Sequence, residues 1–255
     1  MYLILAYHHI GDLNSDDPGN DPVYTLSEHQ FQEQMDVISS LGIPVISQSE
    51  LILRLLNGID ATGPTLVLGF DDGNGSDLDV VVPLLKGRFP AIFYLTVDHL
   101  GKRLPLSAPQ DLVQAGFEVG CHGWHHRYLT HLSGDALQQE TFGAKAELSR
   151  LAGTEVEHFA YPGGRWNVFT NQSLRKAGFL SAVNTQPTPF SVMQELYQIP
   201  RIGMKNTFDL VTFEGLILQD SATLAKIRRR SRRVKHLRWL VGDNGLDWLR
   251  KRVYS

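Results

Sequence analysis

Cysteine is almost absent from this 255-residue chain: Cys121 stands alone, so no internal disulfide can form, and an oxidising compartment is neither required nor excluded. Long apolar runs are missing as well, none approaching the roughly 20 residues of a membrane span. The N-terminus, Met1 to His9, has no basic flank and reaches histidines after a handful of apolar residues. That run is too short for a secretory leader and reads as a first buried strand. No Gly-x-Gly-x-x-Gly opens a helix, which argues against an open dinucleotide-binding sheet. There is no internal repeat, and no low-complexity segment apart from one basic run. Together these absences lead to the expectation of a cytoplasmic protein. A hydrophobic content of 42% with 20% charged residues is ample for a sizeable core, and the length suits a single α/β barrel.

The net charge of −3 hides an asymmetry. After residue 225, eleven Lys and Arg residues face only Asp243 and Asp247, so this stretch carries +9 and the rest of the chain −12. The shift places a boundary near residue 220, between an acidic body (1–220) and a basic helical extension (221–255). No nucleic-acid recognition motif accompanies the charge, so no nucleic acid is expected. Three readings of the extension remain: a solvated helical face, charges folded back onto the acidic body, or peripheral contact with the inner face of an anionic membrane. The last draws on Trp239, Leu240, Val241, Trp248 and Leu249 among the bases.

The body alternates strand-like and helix-like stretches. Apolar strands are predicted at 2–8, 43–46, 65–71, 90–97, 117–121, 158–161, 179–183 and 197–203. Helices are predicted at 27–41, 48–57, 76–87, 108–115, 133–152, 168–177 and 207–218. Repeated β–α units imply an α/β fold with a parallel sheet, here a distorted (β/α) barrel of about seven strands. His8, Asp71, Asp72, His122, Tyr161 and Arg201 all fall at or just beyond the C-terminal tips of these strands. In a parallel barrel those tips share one rim, where barrel enzymes carry their chemistry.

Two of the tips stand out. Residues 66–73, Leu-Val-Leu-Gly-Phe-Asp-Asp-Gly, end an apolar strand in two adjacent carboxylates, and His122-Gly-Trp-His-His126 sets two imidazoles four apart. One aspartate with two histidines makes a three-ligand set that leaves a metal an open position for water. The other aspartate is then free to act as a base. Zinc suits two imidazoles and a carboxylate, though nickel, cobalt or iron also fits such a set.

Phe70-Asp71-Asp72-Gly73, His122-x-x-x-His126 followed by Arg-Tyr-Leu-Thr, and Phe159-Ala-Tyr161-Pro162-Gly-Gly occur in this order. They resemble the polysaccharide deacetylases of carbohydrate esterase family 4, with the likeness running from Tyr7-His8 to about Arg201. The resemblance implies hydrolysis of N-acetyl groups on the amino sugars of a poly- or oligosaccharide, free or lipid-linked. It matches Asp72, His122 and His126 to the ligands of a divalent metal, most simply Zn2+, and Asp71 to the catalytic base. It also places an oxyanion-binding backbone N–H at Tyr161. Two positions depart from the pattern. The usual late Leu-x-His is missing, and Tyr7-His8 resembles a subgroup in which the catalytic histidine sits on the first strand; His8 is therefore assigned as the general acid. No arginine precedes Tyr161 to steer the base, and Arg201 or Arg165 is expected to substitute.

Each residue also has a plainer reading. Asp71 and Asp72 suit a helix cap, His9 and His125 a structural role, and Cys121 a small buried hydrophobe. Trp124 and Trp166 serve equally as sugar platforms or as core anchors, and the acidic loop Asp12 to Asp17 as a solvated surface. Two rival functions share the fold: an amidase acting on a non-sugar C–N bond, and a carbohydrate-binding pseudoenzyme.

Overall fold

The computed structural model describes residues 1–191 and 195–233. Trp239, Trp248 and the other tail residues beyond 233 therefore lie outside the described residues. Seven parallel strands form one sheet: β1 (Tyr2–Tyr7), β2 (Thr65–Asp72), β3 (Ile92–Leu95), β4 (Glu118–Cys121), β5 (His158–Ala160), β6 (Ser181–Val183) and β7 (Arg201–Gly203). Their spatial order is β6-β5-β4-β3-β2-β1-β7. The last extended segment closes the sheet on itself. Ile199 bridges Val183 of β6, and two residues later β7 pairs with Ile4–Ala6 of β1. The result is a nearly closed, distorted (β/α) barrel.

Helices α1 (Glu28–Ser40), α2 (Gln48–Leu56), α3 (Ala108–Gln114), α4 (Ala144–Ala152), α5 (Val168–Lys176) and α6 (Leu210–Ile217) surround the strands. A further helix, α7, runs through 221–233 to the edge of the described residues. The predicted cap at Ser27 holds: its hydroxyl accepts from Gln30 N–H, and the Gln30 side chain answers at the Ser27 N–H. Two predicted helices are interrupted. Asp77–Val81 and Gln139–Gly143 wind as π turns, each adding a residue to a turn that periodicity alone reads as regular. The predicted strand at 43–46 shrinks to one bridge, Val45 to Leu66.

Strand alternation sorts side chains into two cores. Leu3, Leu5, Tyr7, Leu66, Leu68, Phe70, Phe93 and Phe159 pack outward against the helices. Tyr7, Phe70 and Phe93 stack across three neighbouring strands with ring centroids 5.3 and 5.0 Å apart. Tyr2, Ile4, Val67, Ile92, Tyr94, Ala160, Val183 and Ile199 fill the barrel interior. The same period carries the inward set on to His8, Asp71 and His122 at the C-terminal strand tips. Arg201 also faces inward but, against expectation, lies at the start of β7 beside Ile4, and only its long side chain reaches the rim. It puts Tyr161 outward with Phe159. Interior volume is tight: a Cβ at Gly120 would lie 2.4 Å from the Tyr94 ring, so only glycine fits there.

Candidate active site

β1 and β2 run in register, Tyr7 beside Phe70, which brings the next pair, His8 and Asp71, side by side at the rim. Asp71 is buried, and both its oxygens accept from the Arg201 guanidinium, 2.7 Å from Nη1 and 2.7 Å from Nη2. Arg201 is wholly buried; its Nε donates to Asn184 O (3.3 Å) and its guanidinium lies over the Tyr94 ring at 5.2 Å. Burial pushes the Asp71 carboxyl up, but the Arg201 charge overrides it and holds the group below its ordinary value. Of the two candidate arginines, then, Arg201 is the one bound to Asp71. Arg165 stacks on the Tyr128 ring at 4.0 Å.

Asp72 follows on the same strand and would point away, except that its backbone is left-handed, φ 79°. This strained conformation turns the carboxylate back over the rim. Its carbonyl accepts from Thr96 N–H (3.2 Å) and His99 Nδ1 (2.8 Å), which fixes the kink. Asp72 Oδ1 lies 3.4 Å from His122 Nε2 and 3.2 Å from His126 Nε2. His126 is left-handed too, φ 56°, so both ends of the cluster store backbone strain. The three potential ligand atoms lie within 4.8 Å of one another.

The donor set fits a divalent cation on two grounds. Asp72 Oδ1 is buried with no hydrogen-bond partner, a costly arrangement unless another group approaches it. His122 Nδ1 donates to Ala160 O at 2.8 Å, which leaves Nε2 as the free lone pair facing Asp72. Burial lowers the His122 pKa to about 4, so the ring is neutral and ready to ligate at neutral pH. Burial also works against ionisation of Asp72, yet the imidazoles of His126, His8 and His122 hold its carboxyl below the usual range.

The surrounding shell contains residues the motifs did not flag. Glu140 is fully buried and accepts from Trp124 N–H (2.8 Å), His125 N–H (3.1 Å) and His125 Nδ1 (2.8 Å), so it grips the 123–125 loop between the two ligands. Gly123 makes this grip feasible, since a Cβ there would sit 2.6 Å from Glu140 Oε2. One sequence signal existed: Glu140 is a charge on the helical stripe of Leu137, Ala144 and Leu148. Beyond the aspartates, Asp77 accepts from Asn74 N–H (3.0 Å), and Asn74 Nδ2 donates to His8 O (3.3 Å). Burial, reinforced by Asp72 and Asp71, pushes the Asp77 carboxyl well above its ordinary value.

His8 stacks on Tyr24, ring centroids 4.8 Å apart, and its Nδ1 is buried with no partner. Tyr161 needs correction. Its N–H donates to Val183 O (3.1 Å) within the sheet, and its hydroxyl donates to Asn171 Oδ1 (2.7 Å), so it presents no free donor to the rim. Outward alternation is the physical reason. The plainer readings hold for other residues: burial pushes the Cys121 thiol up to about 12, and Trp124 and Trp166 pack partly buried against the core. His9 is buried and meets Ser76 Oγ at 3.2 Å through Nδ1.

Residues 58–182 match the family model described as polysaccharide deacetylase. That segment, just under half of the chain, belongs to the polysaccharide deacetylase family. No curated protein matches the sequence. Among solved structures, the deacetylase PplD of Streptococcus pyogenes, in complex with acetate, is similar at TM-score 0.74 and 23% identity, over 85% of this chain and 96% of that one. A polysaccharide deacetylase from Bacillus cereus is similar at TM-score 0.73 and 23% identity, over 85% and 68%. IcaB from Ammonifex degensii is similar at TM-score 0.72 and 20% identity, over 85% and 97%. These likenesses establish a shared barrel. Family membership supports polysaccharide deacetylation.

Proposed function

We propose that this protein is a metal-dependent hydrolase that removes N-acetyl groups from the amino sugars of a poly- or oligosaccharide and releases acetate. One observation carries the reading. An unpartnered buried carboxylate oxygen faces two imidazole nitrogens, beside a second carboxylate that an arginine holds in place. Asp72, His122 and His126 are the residues that would hold the cation. When bound, a divalent ion, most simply zinc, polarises the acetamide carbonyl and lowers the pKa of water towards neutrality.

The chain's own residues supply the rest. Asp71 accepts a proton from water as its oxygen attacks the carbonyl carbon. Arg201 keeps both Asp71 oxygens aimed and the carboxyl ionised until then. As the C–N bond breaks, the nitrogen needs a proton, which His8 supplies from a ring whose Nδ1 no other group claims. Acetate and a free amine leave. The Arg201–Asp71 pair supports turnover over a pseudoenzyme, because it provides the steering arginine that the third motif lacks.

Metal analysis of the purified chain, with acetate release from an N-acetylglucosamine oligomer, tests this. Chelation should abolish release and zinc restore it; a zinc-loaded chain that frees no acetate from any N-acetylated glycan refutes the reading. His8→Ala should slow the amide far more than an activated acetate ester, whose leaving group needs no proton. Equal losses on both substrates remove His8 from the role of acid.

A further inference from the structure

Helix α7 carries Lys226, Arg228, Arg229, Arg230, Arg232 and Arg233 and no acidic residue. All six bases are exposed, whereas Leu224 and Ile227 are buried in the core. The helix is therefore fixed by its apolar side and turns its charge outward. It lies tight against α6: a Cβ at Gly215 would sit 2.6 Å from Thr223 Oγ1. Of the six, Lys226 lies close enough to the exposed Asp209 for the two charges to interact. Arg228 donates to Thr188 Oγ1 (2.7 Å) and Arg230 meets Thr207 Oγ1 (3.5 Å), both uncharged. Among the described residues, none of the six forms a salt bridge, although the body they sit on is acidic overall. For this half of the extension, fold-back of the charges onto the body is confined to these contacts.

Beside the bases, α6 leaves Val211 (81%) and Leu218 (46%) exposed, seven residues apart on one helical face. Cations flanked by exposed apolar side chains match the chemistry of an anionic bilayer, where charge attracts and apolar groups insert. We infer that α7 with the neighbouring face of α6 is a docking surface for an anionic lipid membrane. Nucleic acid needs only the charge, and the apolar edge is what favours lipid. Glu214, between the two apolar residues, and the exposed Asp209 and Asp220 at the two ends of α6 are the acidic exceptions on the strip. The sequence beyond continues the pattern with Lys235, Arg238, Trp239 and Leu240. The inference is independent of the proposed reaction.

Sedimentation of the full chain with phosphatidylcholine vesicles, with and without phosphatidylglycerol, provides the test. The chain should pellet with the anionic vesicles at low salt, stay in solution with the neutral ones, and release as salt rises. Changing Lys226, Arg229, Arg232 and Arg233 together to Gln spares the two arginines bonded to the body. It should weaken partitioning by about ten-fold or more, with acetate release from a soluble oligosaccharide unchanged. Val211→Ser with Leu218→Ser should cost a smaller factor that salt does not erase. Failure of the full chain to pellet with anionic vesicles overturns the proposal, as does a quadruple variant that partitions like the parent. Retention on a nucleic-acid duplex without any vesicle binding would assign the strip to the other polyanion.

Discussion

The two ends of the barrel both bury polar groups, and they treat them differently. At the N-terminal ends of the strands, His158 lies between Ser49 Oγ (3.1 Å) and Ser181 Oγ (3.0 Å), with both ring nitrogens engaged. Glu118 beside it accepts from Gln48 and Ser49 N–H at 2.9 and 3.1 Å. Among the described residues, these buried groups at that end have partners, and Gln48 Oε1 does not. At the C-terminal rim Asp72 Oδ1 and His8 Nδ1 are buried without partners, and Asp72 and His126 are held left-handed. The third left-handed non-glycine among the described residues, Gln219, merely turns the chain between α6 and α7. The comparison teaches which buried polar groups to suspect of chemistry: those whose hydrogen bonds the fold leaves open while straining the backbone to aim them.

The sharpest break in that comparison is Asp71→Asn. The amide cannot take a proton from water, so turnover should fall by about 10²–10⁴ while bound metal persists. Arg201, left buried beside a neutral group, should also cost the fold about 3 kcal/mol. Parallel assays of rate, metal content and denaturation midpoint check all three. A rate near that of the parent removes Asp71 as the base.

Acid separates the two ends next. Burial, aided by Lys145, depresses the His158 pKa to about 4, below the 6.5 of an unfolded imidazole. A depressed histidine favours the fold fully above 6.5 and loses that contribution as pH falls towards 4, about 3 kcal/mol at most. His158→Gln should flatten urea midpoints across this window while leaving metal binding alone. Zinc should steepen the acid limb through the rim, because protons compete for His122 and His126. An unchanged acid limb in the His158 variant would place the acid sensitivity elsewhere.

Glu140 offers a subtler probe. Its carboxylate receives three donors from the 123–125 loop, and Glu140→Gln would turn an amide N–H2 against some of them. Metal affinity should drop about 10–100-fold, read by chelator competition, with a smaller change in melting temperature. Affinity equal to that of the parent would make Glu140 a core residue only.

Much of this was legible in the sequence, for identifiable reasons. Period-2 alternation located β1, β2 and β3, and it also delivers His8, Asp71 and His122 inward to one rim, whereas Arg201 faces inward from the start of β7, below the tip the sequence suggested. Alternation predicts equally that Tyr161 faces outward, and there the family pattern misled, because the sheet consumes its N–H. The kink at Asp72 was not legible, since nothing local forces a left-handed aspartate; the Thr96 and His99 bonds to its carbonyl do so from another strand loop. The choice between Arg201 and Arg165 likewise awaited closure of β7 onto β1, a contact between opposite ends of the chain. The π turns at 77–81 and 139–143 hide inside helical periodicity, yet one of them carries Glu140 to the loop it grips.

The smallest effect tests the quiet end. Ser47 caps Glu50 N–H at 3.1 Å, and Glu118 takes the N–H groups of Gln48 and Ser49, so three of the open donors at the start of α2 are satisfied. A carboxylate at a helix N-terminus also meets the favourable end of its dipole. Glu118→Gln keeps the shape and one acceptor but removes the charge, so stability should fall by about 1 kcal/mol. Turnover, metal affinity and the pH response of the rim should not move, because no bond connects Glu118 to the cluster at the far end of its strand. If Glu118→Gln lowers the rate or the metal affinity while the fold stays intact, the two ends are coupled through β4, and the division between a structural end and a reactive end is wrong.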